Sequence, residues 1–159
     1  MSPSTPLEII VSKTIPAMVA GGIVGCIIVI ISIFGFSIPS RGNLGLFLAA
    51  MLPFVFSTVG FGLVISSVVN TQQQAILGLF FALMPFMLIS GFATPVENMP
   101  TWLQYVAEIS PLKHFLIIVQ GSFLKSMPPE EVWCNTWPML IIAAVTYTSA
   151  TLFVERRLQ

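Results

Sequence analysis

One histidine, two cysteines and six glutamates are all that this 159-residue chain offers to acid–base, thiol or metal chemistry, and aspartate is absent. His114 has no Cys, Asp or second His at ligand spacing, so a polar-face or headgroup contact is expected of it rather than metal binding. Glu97 and Glu108 fall in an aromatic-flanked stretch, where solvated or helix-capping carboxylates are expected rather than an acid–base pair. Cys26 lies within one apolar run and Cys134 near the start of another. A disulfide needs alpha carbons within about 7 Å, and nothing in the sequence puts these two at one depth. No G-x-x-x-x-G-K-[ST], H-E-x-x-H or G-x-S-x-G motif occurs, which removes P-loop ATP hydrolysis, zinc proteolysis and serine acyl transfer by those routes. No cofactor is expected, and an intramembrane enzyme is disfavoured for want of any polar constellation.

The elements that would position these residues are set by composition. The chain is 56% hydrophobic and 8% charged, with zero formal net charge, and its mean hydropathy is +0.97. These values describe an integral membrane protein and leave no basic footprint for nucleic acid. Charged residues are absent between Lys13 and Arg41, between Arg41 and Glu97, and between Glu131 and Glu155. The expected fold is an all-α membrane protein with four transmembrane helices, spans about 14–36, 44–69, 75–91 and 132–154, plus a re-entrant helical hairpin at about 97–125 between the third and fourth spans.

In chain order, Thr5 is expected to cap a brief surface helix, with Pro6 at its first position and Glu8 meeting the positive end of its dipole. The first span carries Ala17, Gly21 and Gly25 at four-residue steps, a spacing that lets another helix approach closely, within the chain or across a dimer. Gly35 to Asn43, with Pro39 and Arg41, reads as a tight connection. Pro53 is expected to kink the second span. Asn70 to Gln74 reads as the polar turn before the third, where Pro85 marks either a static bend or a moving hinge. Pro128 to Glu131 reads as an exposed loop, followed by a span with Trp133 and Trp137 at its interfacial start.

The hairpin rests on two phrases, one holding Gly91, Pro95, Glu97, Asn98 and Pro100, the other Ser110, Pro111 and His114. In the second, Ser110 is expected to cap a helix whose first position is Pro111 and which runs to about Leu124. That helix is strongly apolar but roughly 20 Å long, short of a hydrocarbon core of about 30 Å. It should therefore enter the membrane without crossing it. The preceding piece, Pro100 to Ile109, has the amphipathic, aromatic composition of the lipid headgroup level. Non-spanning backbone at membrane depth needs protein or a watery cavity around it, which argues for a bundle that handles a solute.

Four spans put both ends of the chain on one side. Lys13, Arg156 and Arg157 on that side balance Arg41, Lys113 and Lys125 on the other, so charge orients the bundle only weakly towards cytoplasmic ends. No span carries a charged residue, and an ion-coupled proton relay is not expected. The drive for any transport would come from outside the chain.

The ordered phrases Thr5-Pro6-Leu7-Glu8-Ile9 with Lys13, Asn70-Thr71-Gln72-Gln73-Gln74-Ala75, Ser90 to Gln104, Ser110 to Phe115 and Gly121 to Lys125 resemble the C-terminal half of type-2 ABC transporter permeases, particularly bacterial drug-efflux-like inner-membrane members. The resemblance covers nearly the whole chain. It implies a six-span permease domain in the bacterial inner membrane, multi-pass, with both termini cytoplasmic. It implies partners: separate ABC ATPase subunits, a second permease copy or homologue, and an extracytoplasmic adaptor. It assigns ATPase coupling to Thr5, Pro6, Leu7, Glu8 and Lys13, and places Phe92 to Leu124 in an outer hairpin near the exit. A first span, a large extracytoplasmic domain and a second span of the family pattern have no counterpart here, so a split or truncated product unable to transport alone is expected. The expected function is the permease subunit of an ATP-driven exporter of small, hydrophobic solutes. The alternative is a non-transporting assembly factor or permease remnant.

Overall fold

In the computed structural model, which describes residues 5–37 and 42–158, the chain forms six α-helices and, among the described residues, no strand. They are α1 (Pro6–Ile30), α2 (Leu44–Val68), α3 (Gln72–Ile89), α4 (Thr101–Glu108), α5 (Pro111–Gln120) and α6 (Pro129–Leu158). Four of these, α1, α2, α3 and α6, are long and apolar enough to cross a membrane. Their outward faces are apolar as well, with Ile23, Phe81 and Ile141 all exposed. Such a surface needs lipid or another apolar protein face against it.

The bundle is built around α2. Its N-terminus is fixed by Asn43, whose side-chain oxygen accepts the Gly45 N–H at 2.9 Å, and the helix continues through Pro53. Its main partner is α6. Between them the Ser57 hydroxyl donates to the Met139 carbonyl at 2.5 Å, with both residues fully buried. A bond of this kind has no competing water in a bilayer. One packed cluster joins Phe47 and Ala50 of α2 to Ile118 of α5 and to Val132 and Met139 of α6. A second, near the start of α1 and the ends of α2 and α6, joins Ile10, Leu63 and Ala150. By contrast α3 buries no residue.

Helix boundaries differ from the sequence expectation at three places. First, α1 is continuous from Pro6, with no break between a surface helix and a span. The Thr14 hydroxyl folds back onto the Ile10 carbonyl at 2.8 Å, so the polar stretch Ser12–Thr14 satisfies itself within the helix. Second, Gln72 to Gln74 are the first turn of α3 rather than part of a loop. Thr71 Oγ1 accepts the Gln74 N–H at 3.3 Å and Gln74 Oε1 accepts the Asn70 N–H at 3.2 Å, a reciprocal cap. Third, α6 begins at Pro129, so Pro129, Glu130 and Glu131 are helical. Pro tolerates the first position, and the glutamates meet the positive dipole end.

Both α1 and α5 end in a single π-helical turn, Ile31–Gly35 and Gly121–Lys125. The Gly42 N–H donates to the Ser122 carbonyl at 2.8 Å. A Cβ on Gly42 would lie 2.9 Å from that same oxygen, so only glycine permits the approach. Pro39 and Arg41 of the α1–α2 connection lie outside the described residues.

Five hydroxyls of α6 bond to their own helix. Thr136, Thr146, Thr148, Ser149 and Thr151 donate to the carbonyls of Val132, Ile142, Ala144, Val145 and Tyr147 at 2.7–2.9 Å.

Candidate functional site

At the end of the bundle where the start of α1 packs on the last turns of α6, α1 starts with a complete capping box. Thr5 Oγ1 accepts the Glu8 N–H at 3.4 Å, and Glu8 Oε2 accepts the Thr5 N–H at 3.0 Å. The cap fixes the first turn and leaves Leu7, Val11 and Ile15 exposed at four-residue steps, an apolar ridge on one face of the helix. Pro6 is half-buried, and Glu8 and Lys13 are exposed. Across the same end, the Arg157 guanidinium donates to the Val68 and Val69 carbonyls at 2.6 and 3.1 Å, satisfying the last carbonyls of α2. The span-facing residues of the small-residue stripe look inward. A Cβ on Gly21 would lie 2.7 Å from Val55 Cγ1, and one on Gly25 would meet Met51. Those two glycines therefore let α1 approach α2 of the same chain, and Ala17 lines the same cleft.

The other concentration of sequence-selected residues runs from Ser90 to Met127. Gly91 turns the chain out of α3 with φ +90°, a conformation that disfavours any Cβ. Pro95 leads a single 3-10 turn, Val96–Asn98, in which the Asn98 N–H reaches the Pro95 carbonyl at 3.0 Å and Glu97 is exposed. Pro100 stands at the N-cap of α4 without a side-chain cap. There Gln104 Nε2 donates to the Met99 carbonyl at 2.9 Å. Ala107 is fully buried, whereas Trp102, Tyr105 and Ile109 are exposed along one face.

Two expectations for α5 need correction. Ser110 occupies the N-cap position before Pro111, with extended backbone, but its hydroxyl makes no capping bond. It is buried and without a hydrogen-bond partner. His114 is not on an exposed polar face; it is buried. Its Nε2 donates to the Glu108 backbone carbonyl at 3.0 Å, and its Nδ1 lies 3.5 Å from Asn135 Oδ1. Asn135 is itself oriented by donating to the Glu131 carbonyl at 2.9 Å. His114 thus ties α4, α5 and α6 together, while Lys113 pairs with the Glu108 carboxylate. No local pattern signals the Asn135 contact, because 21 residues and a helix change separate the partners.

α5 and the turn that follows it pack on aromatic residues of α2. Phe115 stacks on Phe54 with ring centroids 4.1 Å apart, and Phe123 meets Phe47 edge-on at 5.4 Å. Between α5 and the Ser90–Glu97 loop is an open cavity of about 460 Å³, edged by Glu97, Lys113 and Gln120. Among the described residues no three His, Cys, Asp or Glu side chains converge on a point. Cys26 and Cys134 are free thiols, both exposed.

Four apolar helices around a polar-tied helical pair define a multi-pass α-helical membrane protein. The chain belongs to the ABC-2 type transporter family, whose model matches residues 1–124. It is 41% identical over 157 residues to the probable multidrug ABC transporter permease YbhR of Escherichia coli, covering 99% of this chain and 43% of the relative. To the probable multidrug ABC transporter permease YbhS of the same organism it is 31% identical over 156 residues, covering 97% of this chain and 41% of the relative. A more distant relative is ABC transporter G family member 20 of Dictyostelium discoideum, 30% identical over 112 residues, which are 67% of this chain and 15% of the relative. The chain thus spans about two fifths of the length of the Escherichia coli relatives. No solved structure matches it.

Proposed function

We propose that this chain is part of the membrane subunit of an ATP-driven exporter of small hydrophobic solutes, seated in a bacterial inner membrane with both termini cytoplasmic. The observation that carries the reading is the capped start of α1. It presents Leu7, Val11 and Ile15 as an exposed apolar ridge at the end where α2 and α6 also finish, and a rigid, accessible helix end is what a separate ATPase subunit needs to push on. In this reading Thr5, Pro6, Leu7, Glu8 and Lys13 form the coupling contact. Pro85 is the hinge of α3, and α4 and α5 form a re-entrant hairpin on the opposite side, where a second permease copy and an extracytoplasmic adaptor would meet it. The packing of Phe115 on Phe54 and of Phe123 on Phe47, in the first half of α2, supports the hairpin. The names of the two Escherichia coli relatives, both probable multidrug ABC transporter permeases, support the exporter.

The test is co-purification of the chain with an ABC ATPase subunit co-expressed in lipid membranes. Leu7→Asp should reduce the recovered ATPase at least fivefold while leaving the helical content and thermal midpoint of the purified chain unchanged. Equal recovery with Leu7→Asp would sink the coupling assignment. Absence of any ATPase contact in the unaltered chain would favour a membrane assembly factor instead.

A further inference from the structure

A small cavity of about 120 Å³ lies between α2, α3 and the start of α5. Its walls are apolar. Phe61 and Phe86 close one side edge-to-face, with ring centroids 5.0 Å apart, and Leu79 and Leu83 line the α3 side. Ser110 breaks this pattern: it borders the cavity, is fully buried, and its hydroxyl has no partner. Leaving a buried hydroxyl unpaired is costly, and such groups in folded proteins call for an occupant that completes them. A lone water is a poor one. It needs two to four polar partners, about three as a rule, and the side-chain hydroxyls on the wall are only Ser110 and Thr58, the latter left to accept because its proton goes to the Phe54 carbonyl at 2.9 Å. The α3 wall can yield to admit a solute, because α3 buries no residue and Pro85 has no N–H to give the Phe81 carbonyl one turn earlier.

We propose that this cavity binds a small apolar molecule carrying one hydroxyl or carbonyl group, with that group on Ser110 Oγ and the hydrocarbon against Phe61 and Phe86. A cavity of roughly 150 Å³ lined by Leu, Ile and Phe accepts benzene, so a single ring is the size that fits. The proposal deepens the exporter reading by naming a solute class. Binding is measured without transport, so failure here removes the site and leaves the ATPase contact to its own test.

The experiment uses the full chain in lipid nanodiscs, with 4-fluorophenol and fluorobenzene as probes followed by fluorine NMR against empty nanodiscs. Two variants separate the contributions. Ser110→Ala deletes a hydroxyl that holds no structural bond. Gly62→Leu grows a side chain from the cavity wall at a position where a Cβ meets no atom within 4 Å, and replacing a helical glycine favours the helix. Saturable binding of 4-fluorophenol is expected. Ser110→Ala should weaken it about five- to tenfold, in keeping with one hydrogen bond, and should change fluorobenzene binding by less than about twofold. Gly62→Leu should abolish binding of both probes. The site is overturned if neither probe saturates, if Ser110→Ala affects both equally, or if Gly62→Leu leaves binding unchanged; p-cresol competing no better than toluene for the 4-fluorophenol site would also overturn it.

Discussion

Replacing Ile118 by alanine measures how firmly α5 is held in the bundle. Ile118 is fully buried among Phe47, Ala50, Val132 and Met139, so the truncation opens a void that three helices share. In a water-soluble protein such a change costs about 2–5 kcal/mol, part from transferring methylenes out of water and part from the void left behind. In a bilayer the first part disappears, because lipid is as apolar as the site. The second part remains, at about 24 cal/mol per Å³. If roughly 70 Å³ stays unfilled, the expected loss is about 1.7 kcal/mol. The assay is an unfolding equilibrium in bicelles driven by added SDS, with Leu124→Ala, at a residue 66% exposed, as the control expected to fall within about 0.5 kcal/mol. A loss for Ile118→Ala no larger than the control would refute the packing. A loss above about 4 kcal/mol, the upper part of the soluble range, would refute the lipid reference state and mean that α5 enters water when the bundle opens.

Further substitutions probe the other contacts. A Cβ on Gly60 would lie 3.0 Å from Tyr147 Cε2 and 3.1 Å from Thr146 Cβ, so Gly60→Val should force α2 and α6 apart at a cost of about 1–3 kcal/mol in the same unfolding assay. Gly22→Ala, where a Cβ meets nothing within 4 Å, should be neutral or stabilising by up to about 1 kcal/mol; equal losses at the two glycines would contradict the assigned interface. Glu97 and Lys125 are both exposed, and the re-entrant reading expects cysteines at these positions to react with an impermeant maleimide from the same side of the membrane. Labelling from opposite sides would mean that the segment between them crosses.

Much of this architecture was legible because charge is so unevenly distributed. The three long uncharged gaps hold most of the four long helices, α1 in the first, α2 and α3 in the second and α6 in the third, after Glu131, and the Thr5-Pro6-x-Glu8 and Ser110-Pro111 signatures each fell at a helix start. The misread boundaries share one cause. Gln72–Gln74 and Pro129–Glu131 are polar, and polar residues in a first helical turn look like a loop when only hydropathy is weighed; the N-cap Thr71 and the first-position Pro129 followed by two glutamates are the signals that mark them as helix starts. What stayed hidden depends on register between distant helices. Ser57 against the Met139 carbonyl, Arg157 over the last turn of α2, and His114 between Glu108 and Asn135 are contacts that no local pattern encodes. Ser110 was selected for the right position and the wrong reason, since its backbone caps the helix while its side chain faces the interior.

The inward-folded hydroxyls of α6 change what a lipid tail encounters. Read letter by letter, four of the six residues from Thr146 to Thr151 are threonine or serine, and the stretch should resist insertion. With Thr148 and Ser149 spending their donors on the preceding turn, the acyl chains meet mainly methyl and methylene groups, and transfer scales that score each residue in isolation overstate the cost of burying this helix in oil.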